Sequence, residues 1–285
     1  MRRNCPYCPA TDRNCPAHGH FVRACDGRRL RRFRCNNCQG TFSEATTQKC
    51  YRQKKRHLNA KIRKLYSSKT SQRRIAIYLN ISRATVERKF RFLALEARLV
   101  HLRFLRSRAR CHSIQFDDLE TFEHSKCKPI SVTMAVESST RKILGFRVST
   151  MPAKGHLAKI ARKRYGKRID ERSKNRKDLF EELKVQLLPT CEIWSDMSPH
   201  YTEDVKTFFP QSTHHTTPGR RGCVVGQGEL KGGGHDPLFT LNHTFAMLRD
   251  NINRLVRKTW ATTKDPKRLE DHIYMYVVYH NTVLT

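Results

Sequence analysis

The sequence predicts a multidomain chain made of a small cysteine-rich β module, an all-α module and a larger α/β module. Three observations predict it. Two Cys-x2-Cys pairs lie 26 residues apart within the first fifty residues. A pattern of two helices about a tight turn runs from Thr70 to Lys89. From Cys111 onward, three β-rich runs precede helix, strand and helix patterns. The implied modules are 1–50, 51–110 and 111–285, consistent with 285 residues at roughly 100–150 per domain.

The charge is strongly positive, with 57 Lys+Arg against 25 Asp+Glu and a formal net charge of +32. Because 38% of the residues are apolar, a real core is affordable and a simply disordered basic tail is excluded. No run approaches the ~18–20 apolar residues of a membrane span. No apolar stretch follows the basic start at Met1-Arg2-Arg3, so no secretory signal is expected. A charge of this size points to a polyanionic partner, most commonly nucleic acid. It is also uneven: residues 1–110 hold 29 Lys+Arg and 5 Asp+Glu, whereas 111–285 hold 28 and 20. The N-terminal third is therefore expected to grip nucleic acid, and the remainder to be a more ordinary globular domain.

Seven of the eleven cysteines fall in the first fifty residues. Cys5, Cys8, Cys35 and Cys38 present four thiolates that can close tetrahedrally on one Zn2+. A segment of this size has too little core to fold alone, and a structural metal supplies the missing stability. The spacer carries partly alternating stretches at 21–24 and 30–35, which fit a β-hairpin bearing the second pair, as in a zinc ribbon. A set of disulfides is the alternative reading. Cys15, His18, His20, Cys25 and Cys50 either form a second metal site or are spare thiols and ordinary histidines.

Between Thr70 and Lys89, Ile75, Ala76 and Leu79 share one helical face, and Asn80 stands at the turn, where a left-handed backbone is needed. Ser82 is a good N-cap, and Val86 with Phe90 gives the second short helix its buried face. This is the spacing of a DNA-binding helix-turn-helix, with Arg83, Arg88 and Lys89 expected to face phosphates or guanine edges. An αα-hairpin in an ordinary bundle is the alternative.

Strand patterns at 112–122, 129–136 and 142–149 suggest an antiparallel meander. Helix is expected at 178–185, then a short buried strand at 192–196 ending in an acid. A helix is expected from Leu241 to about Thr259, with Leu241, Phe245, Leu248, Ile252 and Leu255 on one stripe. That order is compatible with an RNase H-like fold, in which the strands bearing Asp117 and Asp196 are neighbours. Carboxylates converging there would favour Mg2+ or Mn2+. The basic stretch 154–168 is either a phosphate-binding segment or a solvated loop.

On these residues the chain resembles the DDE superfamily of bacterial insertion-sequence transposases over nearly its full length. The front-end cysteine pairs with Thr41-Phe42-Ser43 match the zinc-ribbon start of such enzymes. Residues 116–122, with Lys126 downstream, resemble their first acidic motif, and Trp194-Ser195-Asp196 the second. The pattern at 248–259 resembles the helix bearing the third. The resemblance implies an Asp, Asp, Glu triad with a Lys or Arg seven residues after the Glu. Here Asn242 holds the third position and Arg249 follows by seven. An Asn carbonyl can still ligate Mg2+ without adding charge. Asp118 and Glu229 are rivals for a place in the site, Glu229 lying in the Gly-rich stretch 226–234, which lacks the pattern of a nucleotide-binding phosphate loop.

The expected function is transposition: binding of double-stranded DNA at terminal inverted repeats, then metal-dependent cleavage and strand transfer. The expected catalytic set is Asp117, Asp196 and Asn242, with Arg83, Arg88, Lys89 and Arg249 on DNA. The protein is expected to act as a homo-oligomer on DNA in the bacterial cytoplasm, associated with the nucleoid. The alternatives are a non-catalytic DNA-binding regulator and a decayed, inactive copy.

Overall fold

A computed structural model describes residues 4–8, 15–218, 236–256 and 261–285. Glu229 with the rest of the Gly-rich stretch, and residues 257–259 of the last expected helix, lie outside the described residues. The chain divides into two compact units, Met1–Lys61 and Ile62–Thr285.

The first unit holds a three-stranded antiparallel sheet, β1 (Ala17–Val22), β2 (Arg29–Arg34) and β3 (Thr41–Ser43), in that order. Only Leu30 and Phe33 of β2 are buried, between exposed Arg29, Arg31, Arg32 and Arg34, and every residue of β1 is exposed. Phe33 stacks on Phe42 at 5.6 Å, and these rings pack with Cys15 and Cys35 as a core of four buried residues. So small a core leaves the unit dependent on something other than apolar burial.

The second unit opens with the end of α1 (Asn59–Tyr66), then α2 (Gln72–Tyr78) and α3 (Arg83–Ser107). Ser71 and Ser82 cap α2 and α3, accepting from the backbone N–H groups of Arg74 and Thr85 at 3.4 and 3.2 Å. Asn80 sits at φ +46°, the left-handed conformation the turn requires. The second helix is not short: α3 runs for 25 residues. No Gly or Pro interrupts it, and its buried face continues through Leu93, Ala94, Ala97 and His101.

A five-stranded sheet follows, ordered β6-β5-β4-β7-β8. It comprises β4 (Cys111–Phe122), β5 (Pro129–Glu137), β6 (Ile143–Thr150), β7 (Leu187–Asp196) and β8 (Thr213–Thr217). β4, β5 and β6 form the antiparallel meander, while β7 runs parallel to β4 and β8 parallel to β7. Every residue of β5 after Pro129 is buried, as befits a strand covered on both faces.

α4 (Leu157–Tyr165) and α5 (Arg172–Leu183) join β6 to β7, and α6 (Pro199–Phe208) joins β7 to β8. Leu179, Phe180, Tyr201 and Val205 of α5 and α6 pack with Ile114, Phe116, Ala135 and Ile193 on one side of the sheet. A Cβ on Gly145 of β6 would fall 2.7 Å from Leu179 Cδ1, so a larger residue there would displace that side chain from the core. The other side buries Leu119, Val132, Met134 and Val136 under α7 (Phe239–Asn251) and α8 (Pro266–Tyr279).

The apolar stripe on α7 is buried as expected, but the helix ends at Asn251 rather than near Thr259. Ile252 takes an extended conformation, and one 3-10 turn, Asn253–Leu255, keeps Leu255 in the core. No helix among the described residues is long and apolar enough to cross a membrane.

α1 and α3 are fixed to the α/β layers by polar contacts. Arg98 pairs with Asp271 and Glu270 of α8 at 3.1 and 3.3 Å. Buried His272 donates from Nε2 to the Tyr66 carbonyl at 3.0 Å, and buried His101 donates to the Leu144 carbonyl at 3.2 Å. Burial holds both imidazoles neutral, with pKa values pulled down to about 3 and about 4.

A depressed histidine stabilises the fold above its unfolded pKa of about 6.5 and loses that stability as pH falls toward the folded value. Thermal unfolding should therefore show stability falling by up to about 1.4 kcal/mol per pH unit per histidine between pH 6 and 5. His101→Gln, which keeps a donor for Leu144 but does not titrate, should remove part of that slope; an unchanged slope would show that His101 does not set it.

Candidate functional site

The first unit gathers four thiols. Cys5 Sγ lies 3.6 Å from Cys38 Sγ, and Cys8 Sγ 3.7 Å from Cys35 Sγ. All four sulfur atoms lie within 4.8 Å of one another. A tetrahedron with Zn–S bonds of about 2.3 Å has edges of about 3.8 Å, so these spacings suit a shared ion and not a pair of disulfides.

The second knuckle is shaped by its backbone. Gln39 takes φ +57°, its N–H donates to the Cys35 carbonyl, and the Cys35 N–H donates to Gly40. A Cβ on Gly40 would sit 3.0 Å from the Tyr7 ring and 3.2 Å from Cys38 Sγ, so the turn admits glycine best. The backbone N–H groups of Cys38 and Asn37 draw the Cys35 thiol down to about 6, against the opposing effect of desolvation. Cys38 is pushed up to about 12: the Gly40 N–H favours its thiolate, but Cys5, Cys8, Cys35 and desolvation outweigh it.

The remaining metal-binding types do not assemble into a second site. Cys15 is buried against Cys35 in the small core, Cys50 accepts from Arg56 at 3.4 Å, and His18 and His20 are exposed on β1. Among the described residues, the four cysteines are the one group of three or more His, Cys, Asp or Glu with ligand atoms so close.

The second unit places two acids side by side. Gln115 and Trp194 are partners in the parallel β4–β7 ladder; two residues on stand Asp117, midway along β4, and Asp196, the last residue of β7, near enough for the Asp196 charge to act on Asp117. Asp117 is pushed up to about 7, by desolvation first and then by the charges of Asp196 and Asp118, against the lowering effect of the Asp118 N–H. The Asp118 N–H donates to Asp117 Oδ1 at 2.7 Å, and the Tyr201 hydroxyl reaches the same oxygen at 3.4 Å. The Ser198 N–H donates to Asp196 Oδ1 at 3.1 Å. In both carboxylates these bonds fall on Oδ1, which leaves Oδ2 for something else. Among the described residues, neither acid has a cationic partner. Repelling, half-buried carboxylates with one oxygen each to spare are the donor set that hard divalent cations take.

Asp118 points to the other face of β4, where the Thr133 hydroxyl donates to it. Gln115 is a positioning residue that the sequence pattern did not reveal. Its side chain accepts from the Leu241 N–H and donates to the Pro237 carbonyl, both at 2.9 Å, and so pins the first turn of α7 to the acid-bearing strand. Asn242, the next residue, is exposed, and its amide donates to Asp236 Oδ2 at 2.9 Å. Asp236, another residue unmarked by motif, stands just before α7. Arg249 lies half-buried in the last turn of that helix.

On α3, Arg83 and Arg88 are exposed, but Lys89 is 3% exposed and is not available to a phosphate. The correction follows from spacing: 86, 89, 90 and 93 share one helical face, and that face is the buried one.

No family model and no curated protein sequence matches the chain. Its chemistry is therefore read from these two centres. The full-length protein should carry at least one zinc per chain by metal analysis, lost on Cys35→Ser, with cooperative unfolding of the N-terminal unit on chelation. Folded protein free of zinc would remove the first centre.

Proposed function

We propose that the chain is a DNA transposase of the DDE superfamily, with a zinc ribbon, a helix-turn-helix and an RNase H-like catalytic domain. The observation that carries this reading is that Asp117 and Asp196 interact electrostatically from adjacent parallel strands, in a sheet ordered β6-β5-β4-β7-β8 with helices on both faces. The charge of +32 supports a polyanionic substrate. The cysteine cluster supports a structural Zn2+. The exposed Arg83 and Arg88 on a Ser-capped helix after a left-handed turn support DNA reading.

In this reading Asp117 and Asp196 hold Mg2+ or Mn2+ through their spare oxygens, with Asn242 as a neutral third ligand. Divalent cations there supply Lewis-acid stabilisation of charge on the scissile phosphate and a more acidic attacking water. The chain's own part is positional. Tyr201 and the Asp118 N–H fix one carboxylate, the Ser198 N–H fixes the other, and Gln115 holds α7 against β4. The chemistry is two in-line displacements at phosphorus: water cuts the element end and leaves a 3′-OH, and that hydroxyl then attacks target DNA. Neither displacement needs a covalent enzyme intermediate.

A DNA-binding regulator without catalysis is the second reading, favoured by one observation: Asn242 is tied to Asp236 and brings no negative charge of its own.

Labelled terminal-repeat DNA incubated with the full chain and Mg2+ or Mn2+ should be cut and joined to a target plasmid. Binding without cutting in any divalent metal would favour the regulator. Asn242→Ala should abolish cutting and leave repeat binding intact, whereas Asn242→Glu should retain or improve it. Loss of cutting in Asp236→Asn or Glu229→Ala, but not in Asn242→Ala, would move the third position.

The Asp117 carboxyl is held above its ordinary value, so its ionised form costs stability that is present below about pH 4 and lost as pH rises through about 7. Asp117→Asn should accordingly stabilise the metal-free protein at pH 8 by about 1 kcal/mol, or about 2–4 °C for a unit of this size, while abolishing cutting. A lowered melting temperature would show that the carboxylate is satisfied without a cation.

A further inference from the structure

We propose that α4 is a phosphate clamp that seats duplex DNA on the acid-bearing strand, a role that deepens the transposase reading and rests on it for its place in the reaction. The segment containing α4 is fastened to β4 at both ends. Lys154 Nζ pairs with Glu120 Oε1 at 2.8 Å, and Arg168 pairs with Glu123 Oε2 at 2.9 Å. Glu123 is also gripped by Lys128 at 3.2 Å, whose ammonium lies 5.0 Å from the Tyr165 ring centre. Glu120 in β4 and Glu123 just past its end follow Asp117 by three and six residues, so the segment is held along the C-terminal end of the acid-bearing strand.

The helix turns Ala158, Ala161 and Tyr165 to one side, and of its nine residues only Ala161 is buried. Beside that side run Lys159, Arg162 and Lys163, three and four residues apart and all exposed. None of the three has a carboxylate partner among the described residues, and α4 itself contains no acid. Like charges at these spacings repel. The fold thus spends its two acidic side chains on the ends of the segment and leaves the middle as an unopposed cationic face. A helix that buries so little gains almost nothing from packing. Two ion pairs hold it in place all the same, which suits a surface whose partner is a row of phosphates. Arg172, at the start of α5, continues the basic ground: its charge is stabilised first by Asp170 and also by Asp118 and Glu120.

The test uses the full chain and a random-sequence 60-bp duplex, without divalent metal, at several salt concentrations. Lys159→Ala/Arg162→Ala/Lys163→Ala keeps strong helix formers, so α4 is not put at risk. Each phosphate contact contributes about 0.9 to the slope of log K against log salt, so the triple variant should flatten that slope by about 2–3 and weaken binding at low salt. The charge-preserving Lys159→Arg/Arg162→Lys/Lys163→Arg should keep the parent slope. A photo-crosslinker at position 163 should form an adduct with the duplex.

An unchanged slope in the alanine variant, or no adduct from position 163, would overturn the proposal. So would a charge-preserving variant as weak as the alanine one. These outcomes are separable from the catalytic reading. A parent that never cuts DNA yet shows the full salt effect would leave α4 as a DNA contact and remove the transposase. An alanine variant with parental slope and parental cutting would do the reverse.

Discussion

Two carboxylates set side by side on neighbouring strands repel each other, and the surroundings of Asp117 and Asp196 are organised around keeping them there. The repulsion is tolerable because each acid is held at one oxygen by donors from the backbone or α6. It is not relieved: desolvation and the neighbouring charges keep Asp117 at about 7. Sheet order does the rest. Placing β7 parallel to β4 brings the end of β7 to the middle of β4, where Asp117 stands, and the parallel connection from β6 to β7 requires a crossover long enough for α4 and α5. The crossover thus brings a cationic helix to the strand that carries the acids.

The N-terminal unit meets the same problem with the opposite resource. Its four-residue core cannot stabilise three strands, one of them wholly exposed. The four thiols lie close enough together to hold a metal ion, which is a source of stability open to so small a unit. Arginines can then fill nearly every outward position of β2, because the strand does not rely on its side chains for packing.

Much of this was legible in the sequence, in the places where a side chain's type forces its setting. The meander was readable because β4, β5 and β6 are rich in β-branched and apolar residues and are joined by short turns. Asn80 and Ser82 marked a turn and a cap by their own backbone chemistry. The cysteine spacing announced its cluster. What was not legible lacked such a marker. β8 is Thr213-His214-His215-Thr216-Thr217, an edge strand with no apolar residue to give it a period. α8 carried a signal that was passed over: Asp265 accepts from the Lys267 N–H and caps the helix ahead of Pro266. Gln115 and Tyr201 act through hydrogen bonds to residues far along the chain, and no local pattern encodes that. Lys89 was misplaced by reading its charge before its helical phase.

The position of Asn242 raises a question of charge balance. A three-carboxylate site would bring three negative charges to an edge where two already keep Asp117 partly protonated near neutrality. An amide at the third position avoids that cost in the metal-free protein and shifts the burden of balancing the cations onto the scissile phosphate. Asp236 lies within hydrogen-bond reach of Asn242, so a third carboxylate is close, displaced just ahead of the helix and held by the Leu238 N–H at 3.0 Å. In the proposed reading, such a centre would fill with cations once DNA is bound, and the exposed cations of α4 would serve the same end by holding phosphates near it.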